Sequence, residues 1–431
     1  LSGSLSSWDE AIYATVSREV FKSGHWLRPT FEGTLFLEKP PLCIWAVAFL
    51  YKIFGINEFA VRFFSAACGF GTIIVTYFIG SKLFNRWIGF LSGMFLVTSG
   101  HFPHYARFGD MDGPLVFFVS SALLFFWLGR EKNVYFILSG IALGLAFLTK
   151  GIAAFFVIPV TWIYCWWANE LFILKKPSYW LGILVCAAIA IPWNIYEIFA
   201  FPHTYSTDLY RQIFLRITQP LEGHQESFGF YFKVVSSKYR PWIILLLFSF
   251  PFFIFKAIQS KSKEMIFIIT WILFMFASLT LMGTKLHWYI LPVYPALSIC
   301  VAYGFAQIVK EKYSFFVGSM FLITMAFHAH DHFFRSDYNH DLKNIGASVK
   351  TVVPEGKAVC LYHSDEGHAN FFYSERGATS IFTKQDFINQ AKQPDFYCLI
   401  DEKDLKNLSL LNDLHLRVRA TSGKLLLLSR E

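Results

Sequence analysis

Ten apolar runs, each near the length that crosses a bilayer, constrain this chain more than any other feature. They fall at about 60–80, 87–105, 113–129, 133–149, 151–168, 179–198, 241–257, 264–282, 287–308 and 313–329. Inside lipid a helix satisfies its own backbone hydrogen bonds, so such runs predict an all-α polytopic membrane domain. The loops between them alternate in kind. Lys82 and Arg86, Arg130 and Lys132, Lys175 and Lys176, Lys256, Lys261 and Lys263, and Lys310 and Lys312 fall in alternate short loops. That is the positive-inside pattern, and it predicts that residues 1–58 and the other alternate loops lie outside.

Composition agrees. Of 431 residues, 55% are hydrophobic, 19% aromatic and only 16% charged, whereas a soluble domain is nearer a quarter charged. Basic inner loops account for the net charge of +8. No RNA- or DNA-binding signature accompanies it, so nucleic acid is not an expected partner. The chain starts at Leu1 with no basic n-region or cleavable apolar segment, and the expectation is that an upstream segment is missing.

Outside the runs the sequence changes character three times. Ser7-Trp8-Asp9-Glu10 has the form of a capping box and predicts a helix over about 9–22, ended at Ser23-Gly24. Ile12, Val16, Val20 and Phe21 share one face, which predicts a helix lying along the membrane interface with Trp26 as an anchor. A second short helix is expected after Pro41. The stretch 199–240 is too long for a mere connection, and 230–235 within it reads as another interfacial helix. From about His332 polarity rises and strand-like runs follow at 358–362, 396–400 and 424–429. The expected organisation is a multi-span domain over 1–331 and a small soluble extracytoplasmic α/β domain over 332–431. Cys360 and Cys398 in that tail either pair, if it is extracytoplasmic, or stay as thiols in buried strands. There is no internal repeat.

The outer loops mix acids, bases and histidines, which suits a site better than a topology signal. Asp9 can act as a general base, a metal ligand, or only a charge favoured at a helix N-terminus. The same holds for Asp110 and Asp112 before the run at 113–129. Glu38 and His224 offer oxygen and nitrogen donors to a divalent metal, though no short ligand spacing supports one. Lys39, Lys150, Arg216 and Lys285 can bind a phosphate, or simply snorkel to the headgroups.

Taken together the motifs resemble bacterial polyprenyl-phosphate-dependent glycosyltransferases of the GT-C fold, among them the lipid A aminoarabinose transferase and relatives of the protein O-mannosyltransferases. The matching stretches begin with DEAIYATVSREVFKSGHWLRPTFEGTLFLEKPPL from Asp9 and FGINEFAVRF from Phe54. They continue with HYARFGDMDGPLVFF from His104, LGLAFLTKG from Leu143 and PWNIYEIFAFPHTY from Pro192. GHQESFGFYF from Gly223 and GTKLHWYILPVYPAL from Gly283 complete them. The resemblance implies a first membrane helix upstream of Asp9. It implies Asp9 as the catalytic acid of the first outer loop, and Asp112 rather than Asp110 as that of the second. It implies Lys39, Arg216, Lys285 and Tyr289 on the lipid phosphate, and Glu38 with His224 on a divalent metal cation. It further implies transfer of a sugar, with inversion, from undecaprenyl phosphate to lipid A, another glycolipid or a protein hydroxyl. The implied setting is the periplasmic face of a bacterial inner membrane.

A transporter or flippase of lipid-linked sugars is the rival reading. It would place charges near the midplane and show repeated halves; here the charges sit at one face. A receptor acting through its soluble tail would not explain acids in several separate outer loops.

Overall fold

The computed structural model describes residues 1, 3–6, 8–221, 223–333, 339–408 and 414–430, and of 327–333 the backbone alone. The chain divides into two compact units: Leu1–Phe36 with Ile44–Arg62 and Arg335–Glu431, and Leu37–Cys43 with Phe63–Phe334.

The larger unit is helical. Among the described residues, seven helical runs are long and apolar enough to cross a membrane. The difference from ten has three causes. The run Val134–Trp167 is continuous by helix assignment but reverses direction after Lys150, at Gly151, whose φ of 60° and ψ of −132° suit a residue without a Cβ. Its two ends come back together: Arg130 Nη2 lies 2.8 Å from Glu170 Oε1. It therefore passes twice, as expected for 133–149 and 151–168. The run expected at 87–105 breaks at 98–100 into a 12-residue helix, Arg86–Val97, and the short helix His101–Ala106. Ser314–Phe333 is helical, but its last side chains fall outside the described residues.

Polar contacts sort the loops onto two faces. Lys176 Nζ donates to the Arg130 carbonyl at 3.4 Å, and Lys263 Nζ lies 2.9 Å from Glu170 Oε1. Three of the loops expected to share the basic side are thus tied to one another. At the other face Trp242 Nε1 donates to Thr98 Oγ1 at 2.9 Å, and Gly100 N donates to the Arg240 carbonyl at 3.0 Å. Between the faces the helices approach closely. A Cβ on Gly140 would collide with the Gly182 backbone, the kind of small-residue contact that membrane helices use where no hydrophobic effect drives them together. The long stretch 199–240 is largely helical, with Pro202–Leu209, Tyr210–Leu215 and Phe230–Lys238.

The smaller unit contains a five-stranded sheet. With β1 (Thr30–Phe31) and β2 (Thr34–Leu35) forming a separate ribbon, the sheet strands are β3 (Val359–Tyr362), β4 (Ala378–Ile381), β5 (Tyr397–Asp401), β6 (Leu416–Ser422) and β7 (Leu425–Arg430). Their order is β4-β3-β5-β7-β6, parallel across β4-β3-β5 and antiparallel beyond. The three expected strands are β3, β5 and β7. Cys360 and Cys398 face each other in register on β3 and β5, both buried and both free thiols; Cys360 Sγ donates to Gln390 Oε1 at 2.7 Å.

The expected first helix is Asp9–Ser23. It packs into this unit, with Glu10 and Arg18 buried at 3% and 4% exposure. Glu10 is paired with Arg62 at 2.7 Å, and Arg18 donates to the Phe372 carbonyl at 2.6 Å. Buried charges with good partners mimic a polar face in a periodicity count. Glu10 Oε2 also accepts from Ser6 N at 2.8 Å; the expected cap, Ser7, lies outside the described residues. The short helix after Pro41 is Leu42–Phe54.

Candidate functional site

A cavity of about 370 Å³ opens within the larger unit. Five stretches bring most of its polar residues. The segment 37–40 brings Glu38 and Lys39, stiffened by Pro40-Pro41 because each proline fixes its own φ and restricts the residue before it. Asp112 starts the helix Asp112–Gly129, and Lys150 ends the helix Val134–Lys150. An anion at a helix N-terminus and a cation at a C-terminus are both favoured by the helix dipole. The stretch 193–217 contributes Trp193, Asn194, Tyr205, Asp208, Gln212 and Arg216, and the helical turn near Pro292 contributes Tyr289.

Two hydrogen-bonded groups line it. In the first, Lys150 Nζ donates to both carboxylate oxygens of Asp112, each at 2.7 Å. Asp112 is 1% exposed, so a single ammonium neutralises a carboxylate held out of water. The same ammonium lies 5.3 Å from the centre of the Tyr289 ring. Arg216 Nη1 in turn donates to the Tyr289 hydroxyl at 3.0 Å. Two cations and a phenol thus form a chain along one wall. In the second group, Gln212 Nε2 donates to Glu38 Oε2 at 3.2 Å while Lys39 Nζ donates to Gln212 Oε1 at 3.3 Å. Asp208 lies beside them. Burial first, then the charge of Glu38, raises its carboxyl above the ordinary range, against the pull of Arg211. Trp193 and Tyr205 meet edge to face with ring centres 5.8 Å apart, and Tyr205 donates to Asn194 Oδ1.

Of the residues expected at a site, the cavity brings together Glu38, Lys39, Asp112, Arg216 and Tyr289. Lys285 and His224 do not line it. Lys285 Nζ is directed at the Glu226 carbonyl at 3.4 Å, and its backbone N–H at the His224 carbonyl. Asp9 belongs to the other unit, where it opens the helix Asp9–Ser23. Asp110 also stays off the cavity wall and accepts from Met111 N at 2.6 Å. The metal expectation does not fit this donor set. Glu38 and His224 are not gathered, and no group of three or more His, Cys, Asp or Glu able to hold a metal is present among the described residues.

Sequence reasoning raised Lys150 as a phosphate candidate without carrying it to the site, counted Asp208 only among the mixed charges of an outer loop, and missed Gln212. The signal for the latter pair was their spacing. Asp208, Gln212 and Arg216 are four residues apart, so one helical face delivers all three.

Comparisons with known proteins follow the same lines. The family described as dolichyl-phosphate-mannose-protein mannosyltransferase matches residues 38–196. An uncharacterised protein of Aquifex aeolicus is 30% identical over 332 residues, 75% of this chain and 73% of that one. The undecaprenyl phosphate-alpha-4-amino-4-deoxy-L-arabinose arabinosyl transferase of Pseudomonas savastanoi is 27% identical over 308 residues, 68% of this chain and 56% of that protein. This chain spans only 56% to 58% of the length of the first curated relatives it matches. The crystal structure of ArnT from Cupriavidus metallidurans bound to undecaprenyl phosphate superposes with a TM-score of 0.77 over 99% of this chain and 94% of that one, at 18% identity. An oligosaccharyltransferase of Archaeoglobus fulgidus in complex with zinc and sulfate shares the fold more distantly, with a TM-score of 0.60 at 13% identity, over 94% of this chain and 66% of that one.

Proposed function

We propose, on the similarity to the mannosyltransferase family model, the arabinosyl transferases and the ArnT fold, that this chain is a GT-C-fold, polyprenyl-phosphate-sugar glycosyltransferase that moves a sugar from undecaprenyl phosphate to an acceptor outside the cytoplasm. The observation that carries the reading is the wall of Lys150, Tyr289 and Arg216 beside a buried Asp112. The transferred bond is the one between the anomeric carbon and the phosphate oxygen. As it breaks, its electron pair goes to the phosphate, whose negative charge grows toward the transition state. Cations already oriented by their neighbours stabilise that charge without having to reorganise.

Each residue then has a task. Lys150 and Arg216 receive the phosphate oxygens, and the Tyr289 hydroxyl, which accepts from Arg216, can donate its own proton to another. Asp112 is the positioning residue that keeps the Lys150 ammonium charged and aimed. Lys39 adds a further cation. An acceptor oxygen attacks the anomeric carbon from the face opposite the phosphate, which inverts that carbon. A hydroxyl acceptor gives up its proton in that step, and Asp9 is the base that the resemblance implies for it. With a phosphate acceptor, as on lipid A, no proton need move. Lys285 and His224 have no part in this route, and no step runs through a metal. The arabinosyl transferase relatives carry 4-amino-4-deoxy-L-arabinose in their name, the matching family carries mannose and a protein acceptor in its own, and lipid A is the acceptor that the resemblance implies. The basic alternate loops support a periplasmic setting for the cavity in a bacterial inner membrane.

The test supplies undecaprenyl-phosphate sugars with radiolabel in the sugar, together with a membrane-lipid extract, to the purified protein. Label should pass from the carrier to a glycolipid, and Asp9→Asn should stop it. Carrier-bound label crossing a sealed vesicle unchanged would establish a flippase instead.

A further inference from the structure

One neutral side chain joins the two adjacent charges of the cavity. The Gln212 amide gives a hydrogen to Glu38 Oε2 at 3.2 Å and takes one from Lys39 Nζ at 3.3 Å. An ionised carboxylate only accepts and an ammonium only donates, so the amide has a single orientation that serves both. The backbone under these charges is stiff, because Pro40 and Pro41 follow directly. The side chains of Glu38 and Lys39 are therefore the adjustable parts of that wall. Opposite charges on neighbouring residues attract strongly in a partly desolvated cleft, and left to themselves they draw together. An amide between them satisfies each without cancelling either. Gln212 itself sits in the Tyr210–Leu215 segment, wound as a π-helix, a local irregularity that re-aims side chains and is frequent at functional sites.

We propose that Gln212 is a positioning residue that holds Glu38 and Lys39 apart and facing the cavity, so that the ammonium meets the phosphate of a donor and the carboxylate meets hydroxyls of its sugar. The proposal rests on the cavity being the donor site. It assigns Gln212 no contact with the reacting atoms; its effect passes through Glu38 and Lys39.

The experiment measures kcat/KM for an undecaprenyl-phosphate sugar, and melting temperature, on the full chain carrying Gln212→Ala, Gln212→Met or Glu38→Met, and the Gln212→Ala/Glu38→Met double variant. Gln212→Met keeps the volume and removes both hydrogen bonds, which guards against a variant that merely packs badly. Loss of orientation costs about tenfold in kcat/KM for either Gln212 variant, with the melting temperature of Gln212→Met held at that of the parent. In the double variant the two losses are less than multiplicative, because both remove the same contact. Rescue follows in Gln212→Asn combined with Glu38→Asp only if length is irrelevant, so that variant stays impaired. Unchanged kcat/KM in Gln212→Met, or fully multiplicative losses, overturns the role of Gln212. If Lys150→Met and Arg216→Ala also leave turnover intact, the cavity is not the donor site, and the inference falls with that reading.

Discussion

Two buried carboxylates in the helical unit are built in opposite ways. Glu170 is saturated: Arg130 at 2.8 Å and Lys263 at 2.9 Å reach one oxygen, and the Tyr164 hydroxyl donates to the other at 2.7 Å. Asp112 has one ammonium on both its oxygens, and that ammonium also faces a cavity. The first arrangement fastens loops, with Arg130 additionally stacked 4.0 Å over the Trp127 ring. The second holds a half-buried cation against open space. Similar burial of the carboxylate therefore fastens loops in one place and, on the function proposed above, serves chemistry in the other, and the difference lies in whether the partner cation borders open space.

Substitution should separate the two. The largest effect is expected at Lys150→Met, which should cut turnover by about 10²–10³-fold, the range for losing an oriented group that meets developing charge. It should also destabilise the protein, because Asp112 is left buried without its cation. Adding Asp112→Asn should recover the melting temperature without recovering turnover. If turnover returned, the pair would be structural like Glu170. Next comes Glu170→Ala, which strands Arg130 and Lys263. Breaking a buried pair costs about 3–5 kcal/mol, so denaturation should show a large loss while kcat per folded molecule stays within about twofold. Tyr289→Phe removes one hydroxyl and should lower kcat/KM by about tenfold, as one hydrogen bond to a charged group is worth about 1.5 kcal/mol. An unchanged kcat/KM would take Tyr289 off the phosphate.

The smallest effect is in pH. Burial pushes the Glu170 carboxyl up, but hydrogen bonds from Tyr164, Lys263 and Arg130 outweigh it and hold it below its ordinary value. Its folded value is thus depressed. The stability it supplies is complete above the ordinary carboxylate value of about 4.5 and is lost as pH falls through the folded one. Melting curves from neutral to acid pH should therefore fall less steeply in Glu170→Gln than in the parent. Parallel curves would mean that the network contributes no linkage.

Much of this was legible in the sequence because lipid leaves few choices. Apolar length and the charge of alternate loops located the helices and sorted Arg130, Lys176 and Lys263 to one side. Three of five sheet strands showed as apolar runs; β4 and β6 did not, since ATSI and LRVRATS carry little apolar signal. The helix at Asp9 was legible as a helix but not in its surroundings, because Glu10 and Arg18 look like a solvated face until Arg62 and the Phe372 carbonyl are placed beside them. In the cavity, Glu38, Lys39 and Asp112 announced themselves through Pro-Pro and Gly-Pro flanks. Gln212 and Asp208 did not, because an amide and an acid in a polar loop carry no signal until a helical turn of four aligns them with Arg216.

The most direct measurement is a structure of the protein with undecaprenyl phosphate bound. The phosphate is expected within hydrogen-bond reach of Lys150, Arg216 and the Tyr289 hydroxyl, with the Asp112–Lys150 pair intact. A phosphate held elsewhere, for instance against Lys285 and His224, would contradict it.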